Sequence, residues 1–254
     1  MDCVMDCCCF SVSEIVVHML LVYQVVNRTM NSLNIETVAI NFGSDKIIDS
    51  GTIEVRPSEV IGLLGKNGSG KTSILKAIVG LLRSTGTGVE GTINGQALQG
   101  RPTADRIRLG LRYLPQSKGV FSRLTVSQQI RLAKFAFGDS GLTTDAANSL
   151  IGQLDPKIPI EHLSGGQQRL LAISSLLLGQ PRYVLLDEPF AGLSPESTSL
   201  VTKEINRIAE HLSVGFLVAE NRSSILLGMC SKVFSIKHRT LEQIVSGPVV
   251  SYEP

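Results

Sequence analysis

The sequence predicts an α/β fold with a mostly parallel sheet layered by helices, an antiparallel β subdomain near the N-terminus and a small helical lobe. Three observations indicate this fold. The apolar run Val60–Leu64 leads into a glycine-rich turn and then into helical spacing over residues 73–82. After residue 180, short apolar strands alternate with helical patterns, which favours parallel strands covered by helices. Before residue 100, strand patterns are joined by turn residues such as Asn94-Gly95, which are typical of a hairpin.

Apolar runs bounded by turn residues define the predicted strands, and apolar spacings of three and four residues define the predicted helices. In chain order, the strands cover residues 35–42, 52–55, 60–64, 89–93, 111–114, 184–186, 214–219 and 233–236, of which the last is expected to be the final strand. The helices cover residues 73–82, 125–135, 144–153, 165–178, 195–211 and 222–229. Pro195 suits the first turn of a helix. The helices at 125–135 and 144–153 form the helical lobe, which we place at about residues 117–162 of a main domain spanning residues 30–254.

Residues 1–29 are predicted to lie outside this domain, as a disordered tail or as a segment upstream of a natural start at Met30. Four of the five cysteines fall in the first nine residues, with no His or Cys partner following at metal spacing. A reducing compartment therefore fits better than a disulfide scaffold, and a small metal site is the alternative. The apolar run over residues 15–27 is shorter than the ~20 residues that a membrane-spanning helix needs, so a membrane-surface helix is the second alternative.

The composition indicates a globular protein without a nucleic-acid partner. Apolar residues make up 43% of the chain and charged residues 18%, which is enough to fill a core. The formal net charge is only +2, and no long basic run is present. Nucleic acid is therefore not an expected partner.

Residues 65–72 match the phosphate-loop pattern G-x-x-x-x-G-K-[ST] in the required context of strand, loop and helix. In such a loop, backbone N–H groups and the N-terminus of the following helix bind phosphate. Lys71 is expected to pair with the β- and γ-phosphates of ATP, and the Thr72 hydroxyl to bind Mg²⁺. The predicted nucleotide-binding residues of the loop are Gly65, Lys66, Asn67, Gly68, Ser69, Gly70, Lys71 and Thr72.

Two acidic residues and a glutamine supply what a phosphate loop alone lacks. Asp187 ends a buried strand and is the expected Mg²⁺ carboxylate. Glu188 follows it and is expected to orient or deprotonate the attacking water. Gln116 follows the strand at 111–114 and is expected to reach the Mg²⁺ water shell, and so to link the nucleotide state to movement of the lobe.

Ser164, Gly165, Gly166 and Gln167 open a long helix and are predicted to form a second anion cradle. Because the phosphate loop already encloses one nucleotide, a second cradle becomes useful if it reaches the γ-phosphate held by another copy. Two copies related head to tail by a two-fold axis satisfy both cradles at once.

These motifs together resemble the ATP-binding subunits of ABC transporters, over about residues 33–240. Residues 163–169, Leu-Ser-Gly-Gly-Gln-Gln-Arg, are similar to the diagnostic signature of that family, and the resemblance identifies a P-loop NTPase. It implies an ATP sandwich dimer, docked through the helical lobe on a separate membrane-spanning subunit. It also implies a cytoplasmic protein that is peripheral on the inner face of the inner or plasma membrane. Phe42 is similar to the aromatic residue that stacks on adenine in this family.

Residues 112–116 and 190–195 are most similar to the ATPases of branched-chain amino acid import and lipopolysaccharide export. Two positions depart from the family pattern. Ser194 stands where an aspartate is usual, and Asn221 stands where the family has its switch histidine. Asn221 can hydrogen-bond a γ-phosphate oxygen but cannot exchange a proton near neutral pH, so turnover is expected to be reduced.

Three functions are weighed on these features. The first is an ATPase that powers transport of an unknown substrate through a membrane partner. The second is a cassette ATPase acting on ribosomes or DNA, which is disfavoured because the chain holds neither two cassettes nor a long coiled-coil insertion. The third is a soluble regulatory ATPase with weak turnover, which Asn221 suggests.

Overall fold

The computed structural model describes residues 31–42, 45–82, 88–117, 119–138, 151–152 and 154–246. The predicted extension at residues 1–29 lies outside the described residues, as does most of the predicted helix at 144–153. The predicted domain limits therefore stay predictions.

The described residues form eleven strands and six α-helices. The strands are β1 (Leu33–Phe42), β2 (Asp45–Ile48), β3 (Ile53–Val55), β4 (Val60–Leu64), β5 (Gly88–Ile93), β6 (Gln96–Ala97), β7 (Leu111–Leu114), β8 (Tyr183–Asp187), β9 (Gly215–Glu220), β10 (Lys232–Lys237) and β11 (Thr240–Ser246). The helices are α1 (Lys71–Val79), α2 (Thr103–Arg108), α3 (Val126–Phe137), α4 (Gly165–Leu177), α5 (Pro195–Leu212) and α6 (Ser223–Met229).

The phosphate loop and Asp187 lie at the ends of two strands of a six-stranded sheet. Its strand order is β11-β10-β4-β9-β8-β7, and every pair is parallel except β10 with β11. The carboxyl ends of the parallel strands therefore lie along one edge, where ligands bind in open α/β sheets. The predicted α/β fold with a mostly parallel sheet is confirmed.

The expectation that residues 233–236 form the final strand is wrong, because β11 follows and pairs with β10. The two strands are joined by a tight turn at His238 and Arg239, which have φ values of 47° and 66°. Hairpin turns of this kind usually hold Asn or Gly, since most side chains avoid positive φ. The sequence at this turn therefore gave no hairpin signal.

A second, antiparallel sheet packs over α1, with β1, β2 and β3 before that helix in the chain and β5 and β6 after it. Its strands run in the order β2-β1-β5-β6, and β3 also pairs with β1. Asn94 and Gly95, with φ values of 51° and 75°, form the tight turn from β5 to β6. The predicted antiparallel subdomain and its hairpin are confirmed, whereas β2 and α2 were not predicted.

The central strands β4, β9 and β8 of the six-stranded sheet are buried on both faces, and alternate residues of β8 pack into two different cores. Tyr183 and Leu185 pack with α1 and the antiparallel sheet. Val184 and Leu186 pack with α4, α5 and α6. The strand is therefore a continuous apolar run up to its last residue, Asp187, as parallel strands covered on both faces are.

The helical lobe is represented by α3 and a 3₁₀ turn at Ile160–His162. Thr125 caps α3. The lobe has a small hydrophobic core of its own, in which Val126 and Ile160 pack with Leu171 of α4. The lobe thus packs on the helix that the predicted second cradle opens. In the part of the chain that the structure describes, no helix has both the length and the apolar character to cross a bilayer.

Candidate nucleotide-binding site

The phosphate loop joins the end of β4 to the start of α1, as predicted. Gly68 and Gly70 have φ values of 79° and 104°, which L side chains rarely adopt. A Cβ atom on Gly70 would also lie 2.8 Å from Ile47 Cγ2. The loop therefore needs glycine at this position for conformation and for space.

Lys71 is buried within this loop. Its Nζ atom donates to the carbonyl oxygens of Gly65 at 2.8 Å and Lys66 at 3.2 Å, and it lies 3.3 Å from Glu188 Oε1. An ammonium has three donors, so these contacts use all of them. A bound phosphate would have to replace at least one of these partners.

A cleft of about 320 Å³ lies in front of the loop. It is lined by Ile47, Asn67, Gly68, Gly70, Lys71, Thr72, Ser73, Gln116 and Glu188. A second cleft, of about 370 Å³, shares Ile47 and Gly68 with it and is also lined by Ser69, Ile236, His238 and Arg239. The first cleft holds the polar groups around Lys71, and the second adds the apolar side chain of Ile236 beside the polar Ser69, His238 and Arg239.

Asp187 is only 1% exposed at the end of β8, and each of its carboxylate oxygens has one hydroxyl donor. Thr72 donates to Oδ1 and Tyr113 to Oδ2, both at 3.1 Å. Burial raises the pKa of Asp187 above its ordinary value, and the two hydrogen bonds oppose that rise. Burial, followed by the negative charge of Asp187, raises the pKa of Tyr113, so its hydroxyl stays a donor.

These residues fit a magnesium ion. Mg²⁺ prefers oxygen ligands and is usually held by one or two carboxylates together with waters and phosphate oxygens. Asp187 and Thr72 place a carboxylate and a hydroxyl beside each other, with Thr72 lining the cleft and Asp187 behind it. Of the three predicted metal residues, Gln116 is the one without a contact to Asp187 or Thr72.

Gln116 instead contacts the predicted base. Its Nε2 atom donates to Glu188 Oε2 at 2.7 Å. Glu188 is 9% exposed and has a φ value of 44°, which is unusual for a residue with a side chain. Such strained backbone clusters at functional sites.

Asn221, at the predicted switch position, also reaches the phosphate loop. It follows β9 directly, and its Nδ2 atom donates to Asn67 Oδ1 at 3.2 Å. The neighbouring Glu220 is buried, and its Oε1 atom accepts the N–H groups of Asn221 and Arg222. The turn that presents Asn221 is therefore fixed by a buried carboxylate.

The residues of the predicted second cradle form a capped helix start that is separate from this cleft. Ser164 caps α4, with its hydroxyl accepting from Gln167 N and the Gln167 side chain accepting from Ser164 N. A Cβ on Gly166 would lie 2.7 Å from Ser197 Oγ, so only glycine fits against α5. None of Ser164, Gly165, Gly166 and Gln167 lines the phosphate cleft of this copy.

Two residues near the site belong to the predicted motifs, but no role of their own was predicted for them. One is Tyr113, which contacts Asp187. The other is Arg169, which is buried on α4 and donates weakly from Nη2 to the Gln116 carbonyl at 3.5 Å. The available signal for Tyr113 was its position one residue before the end of β7, a strand that leads to Gln116. The side chain of Phe42, predicted to stack on adenine, lies outside the described residues.

A protein-family match covers most of the residues that form this site. The family model described as ABC transporter matches residues 48–191, which include the phosphate loop, Gln116, the second cradle and both acidic residues. Asn221 lies beyond the matched segment.

Two curated relatives are ATP-binding proteins of transport systems. The chain is 31% identical to the lipopolysaccharide export system ATP-binding protein LptB of Haemophilus influenzae, over 82% of this chain and 87% of that protein. It is 28% identical to the high-affinity branched-chain amino acid transport ATP-binding protein BraG of Pseudomonas aeruginosa, over 76% of this chain and 84% of that protein. The resemblance to these two groups of ATPases is confirmed.

Solved structures share the fold. MJ1267, an ATP-binding cassette of an ABC transporter in its ADP conformation, has a TM-score of 0.72 at 22% identity, covering 84% of this chain and 90% of that one. The protein cbiO1 from Clostridium perfringens, part of the ABC transporter complex cbiONQ, has a TM-score of 0.73 at 22% identity, covering 85% and 88%. The family match over residues 48–191 and the 31% identity to LptB show that the chain belongs to the ABC transporter family, as one of its ATP-binding and ATP-hydrolysing subunits.

Proposed function

We propose that this ATPase powers the transport of a substrate through a separate membrane-spanning subunit. The observation that carries the proposal is the joint placement of Lys71, Glu188 and Gln116 at one cleft, with Asp187 behind it. ATP binding would close two copies around the nucleotide, and hydrolysis would reopen them. That cycle supplies the movement that a membrane partner can use.

The polar half of the site would bind the triphosphate. Backbone N–H groups of residues 65–72 and the N-terminus of α1 would contact the phosphates, and Lys71 would pair with the β- and γ-phosphates. Glu188 would orient or deprotonate the attacking water, with Gln116 holding its second carboxylate oxygen. Asn221 would hydrogen-bond the γ-phosphate from its position beside Asn67.

Asp187 and Thr72 would hold magnesium, and Gln116 is proposed to contact its water shell. When bound, the ion neutralises charge that develops on the phosphate oxygens during transfer. The nucleoside would occupy the second cleft, where Ile47 and Ile236 offer apolar contact. Phe42 remains our proposed stacking partner for the adenine.

The second cradle supports a head-to-tail dimer. Ser164, Gly165, Gly166 and Gln167 present a capped helix N-terminus, yet they lie away from the phosphate cleft of their own copy. A γ-phosphate held by another copy is a suitable ligand for that helix end. Two-fold symmetry would then complete two identical ATP sites.

The helical lobe is the proposed docking surface for the membrane partner. Its described part exposes large apolar side chains, including Phe121 at 61%, Leu132 at 41% and Phe135 at 92%. Exposed apolar patches of this kind often mark interaction sites. We place the complex at the cytoplasmic face of the membrane, with the lobe spanning about residues 117–162.

Turnover and membrane association test the proposal together. We expect the purified chain to hydrolyse ATP in a Mg²⁺-dependent way, and to fractionate with membranes from cells that also express its transporter. Phe135→Asp should release it into the soluble fraction without changing basal ATP hydrolysis. A wild-type chain that binds ATP with no measurable turnover would instead favour the regulatory ATPase that Asn221 suggests.

A further inference from the structure

We propose that Tyr113 is a positioning residue that sets the magnesium affinity of Asp187, an inference that rests on the proposed function of this cleft. Tyr113 lies on β7, and its hydroxyl donates to Asp187 Oδ2 at 3.1 Å across the parallel pairing of β7 with β8. The bond joins residues 74 positions apart. Tyr113 itself is assigned no contact with nucleotide or metal.

The two carboxylate oxygens of Asp187 have different hydroxyl donors. Thr72 holds Oδ1 and Tyr113 holds Oδ2, each at 3.1 Å. The terminal torsion of an aspartate is broad and roughly two-fold, so a single donor leaves the carboxylate free to turn. With both donors in place, the orientation of the oxygen that faces Thr72 is fixed.

Burial makes the Tyr113 bond hard to replace. Asp187 is 1% exposed, so bulk water has little access to Oδ2 when the phenol hydroxyl is removed. A buried carboxylate that loses a donor is expected to rotate or to seek another partner. The oxygen that Asp187 offers to a metal would then be less well placed.

Thr72 and Tyr113 have different positions relative to the cleft. Thr72 lines the cleft and is itself a proposed metal ligand, so its bond to Asp187 is expected to change when the ion binds. Tyr113 does not line the cleft, so its bond can persist in both states. Groups that orient a metal ligand from behind typically change metal affinity by about 10- to 100-fold when removed.

Tyr183 provides a matched control on the strand that Asp187 ends. Tyr183 is fully buried whereas Tyr113 is half-buried, and the Tyr183 hydroxyl donates to Asn94 Oδ1 at 3.0 Å, away from the nucleotide cleft. Tyr113→Phe and Tyr183→Phe each remove one bonded hydroxyl and keep the aromatic ring. A purely structural role for the Tyr113 hydroxyl would make the two variants behave alike.

The test uses the full chain, ADP and MgCl₂. Affinity for ADP is measured first with EDTA and then at increasing Mg²⁺ concentrations. The Mg²⁺ midpoint is the Mg²⁺ concentration that gives half of the magnesium-dependent increase in ADP affinity. We expect Tyr113→Phe to raise that concentration about 10- to 100-fold. It should leave the affinity for ADP in EDTA within about two-fold of wild type, and Tyr183→Phe should change neither quantity.

Several results would overturn the inference. One is an unchanged Mg²⁺ midpoint in Tyr113→Phe. Another is a loss of ADP affinity by Tyr113→Phe that is as large in EDTA as in Mg²⁺. The third is the same midpoint shift in Tyr183→Phe. If Tyr113→Phe does not fold, Tyr113→Met takes its place, because methionine also lacks the hydroxyl and adapts to irregular apolar sites. A wild-type chain that fails to bind ADP would overturn the proposed function as well, whereas wild-type binding with unshifted variants overturns this inference alone.

Discussion

Gln116 and Glu188 are 72 positions apart in sequence, yet the Gln116 amide donates to the Glu188 carboxylate at 2.7 Å. The contact forms because β7 and β8 are adjacent parallel strands and each of these residues follows the end of its strand. Glu188 also pairs with the buried Lys71. Its carboxylate is therefore held from two sides, at the mouth of the phosphate loop.

Glu188→Gln is expected to bind ATP but to lose hydrolysis, because an amide keeps the shape of the side chain and cannot take a proton from water. Loss of a general base typically costs about 10²- to 10⁴-fold in rate. The closed dimer should then accumulate with ATP and not with ADP, as measured by phosphate release and by light scattering after size exclusion. Rapid hydrolysis by this variant would remove Glu188 from its proposed role.

Lys71→Ala should weaken ATP binding by about 10- to 100-fold, since hydrogen bonds to charged groups contribute about 1.5–3 kcal/mol. Lys66→Ala is the control within the same loop, because the Lys66 side chain is exposed and only its backbone carbonyl contacts Lys71. Binding is measured by calorimetry with Mg²⁺ and ATP. If both variants lose the same affinity for ATP, binding depends on the net charge of the loop and not on the buried ammonium of Lys71.

Much of this site could be predicted from sequence, because its strongest elements are local. Lys71 and Thr72 belong to one continuous loop, and Asp187 ends a continuous apolar strand. Contacts that depend on strand order could not be predicted in the same way. The Tyr113–Asp187 and Gln116–Glu188 pairs exist only because β7 lies beside β8, and no short motif encodes that neighbour.

The fold shows the same division between local and non-local information. The Asn94-Gly95 turn was predicted because its residue types suit positive φ. The His238-Arg239 turn adopts positive φ without such residues, since Asp49 N donates to the Arg239 carbonyl and Ser50 bridges to Thr240. Tertiary contacts, rather than residue preference, hold the hairpin that adds β11 to the sheet.

Ser164→Ala is expected to abolish ATP-dependent dimer formation in a Glu188→Gln background, because the Ser164 hydroxyl would contact the γ-phosphate of the other copy. Thr125→Ala is a closely matched control. Both residues cap a helix, and both form a reciprocal capping box with a glutamine three positions later. Each substitution should cost about 1 kcal/mol of stability.

Only Ser164→Ala should leave the protein monomeric in ATP, as judged by light scattering. If Ser164→Ala forms dimers at the same ATP concentration as the chain that keeps Ser164, the second cradle does not complete the site. Loss of dimers in Thr125→Ala as well would attribute the effect to helix stability alone.

Asn221→His is expected to raise the hydrolysis rate, because imidazole can exchange a proton near neutral pH and an amide cannot. We expect an increase of at least about 10-fold, within the range that a positioned acid–base group contributes. Phosphate release between pH 5.5 and 8 should also gain a dependence on pH that the wild-type chain lacks at this position, centred near the ordinary histidine pKa of about 6.5. Asn221→Gln is the control with the amide retained, and an unchanged rate in Asn221→His would refute this role for the position.

Asp187→Asn should abolish Mg²⁺-dependent hydrolysis and yet stabilise the nucleotide-free chain at neutral pH. Burial raises the pKa of Asp187, so the folded protein holds a proton there more tightly than the unfolded chain does. The wild-type free energy of unfolding therefore falls as pH rises from the ordinary pKa of about 4 through the raised value, and stays reduced above it. An amide carries no charge in that range, and the hydroxyls of Thr72 and Tyr113 can rotate to suit its oxygen and its NH₂ group.

The measurement is a thermal melt in EDTA from pH 3.5 to 8. A gain of about 1 kcal/mol would raise the melting temperature of Asp187→Asn by roughly 2–4 °C at pH 7, and the difference should shrink toward acid pH as wild-type Asp187 becomes protonated in both states. Thr72→Val, which removes a hydroxyl donor from the same carboxylate, should lower the melting temperature instead. A destabilised Asp187→Asn chain, or a difference that does not change with pH, would show that the buried charge is not costly in the absence of its ligands.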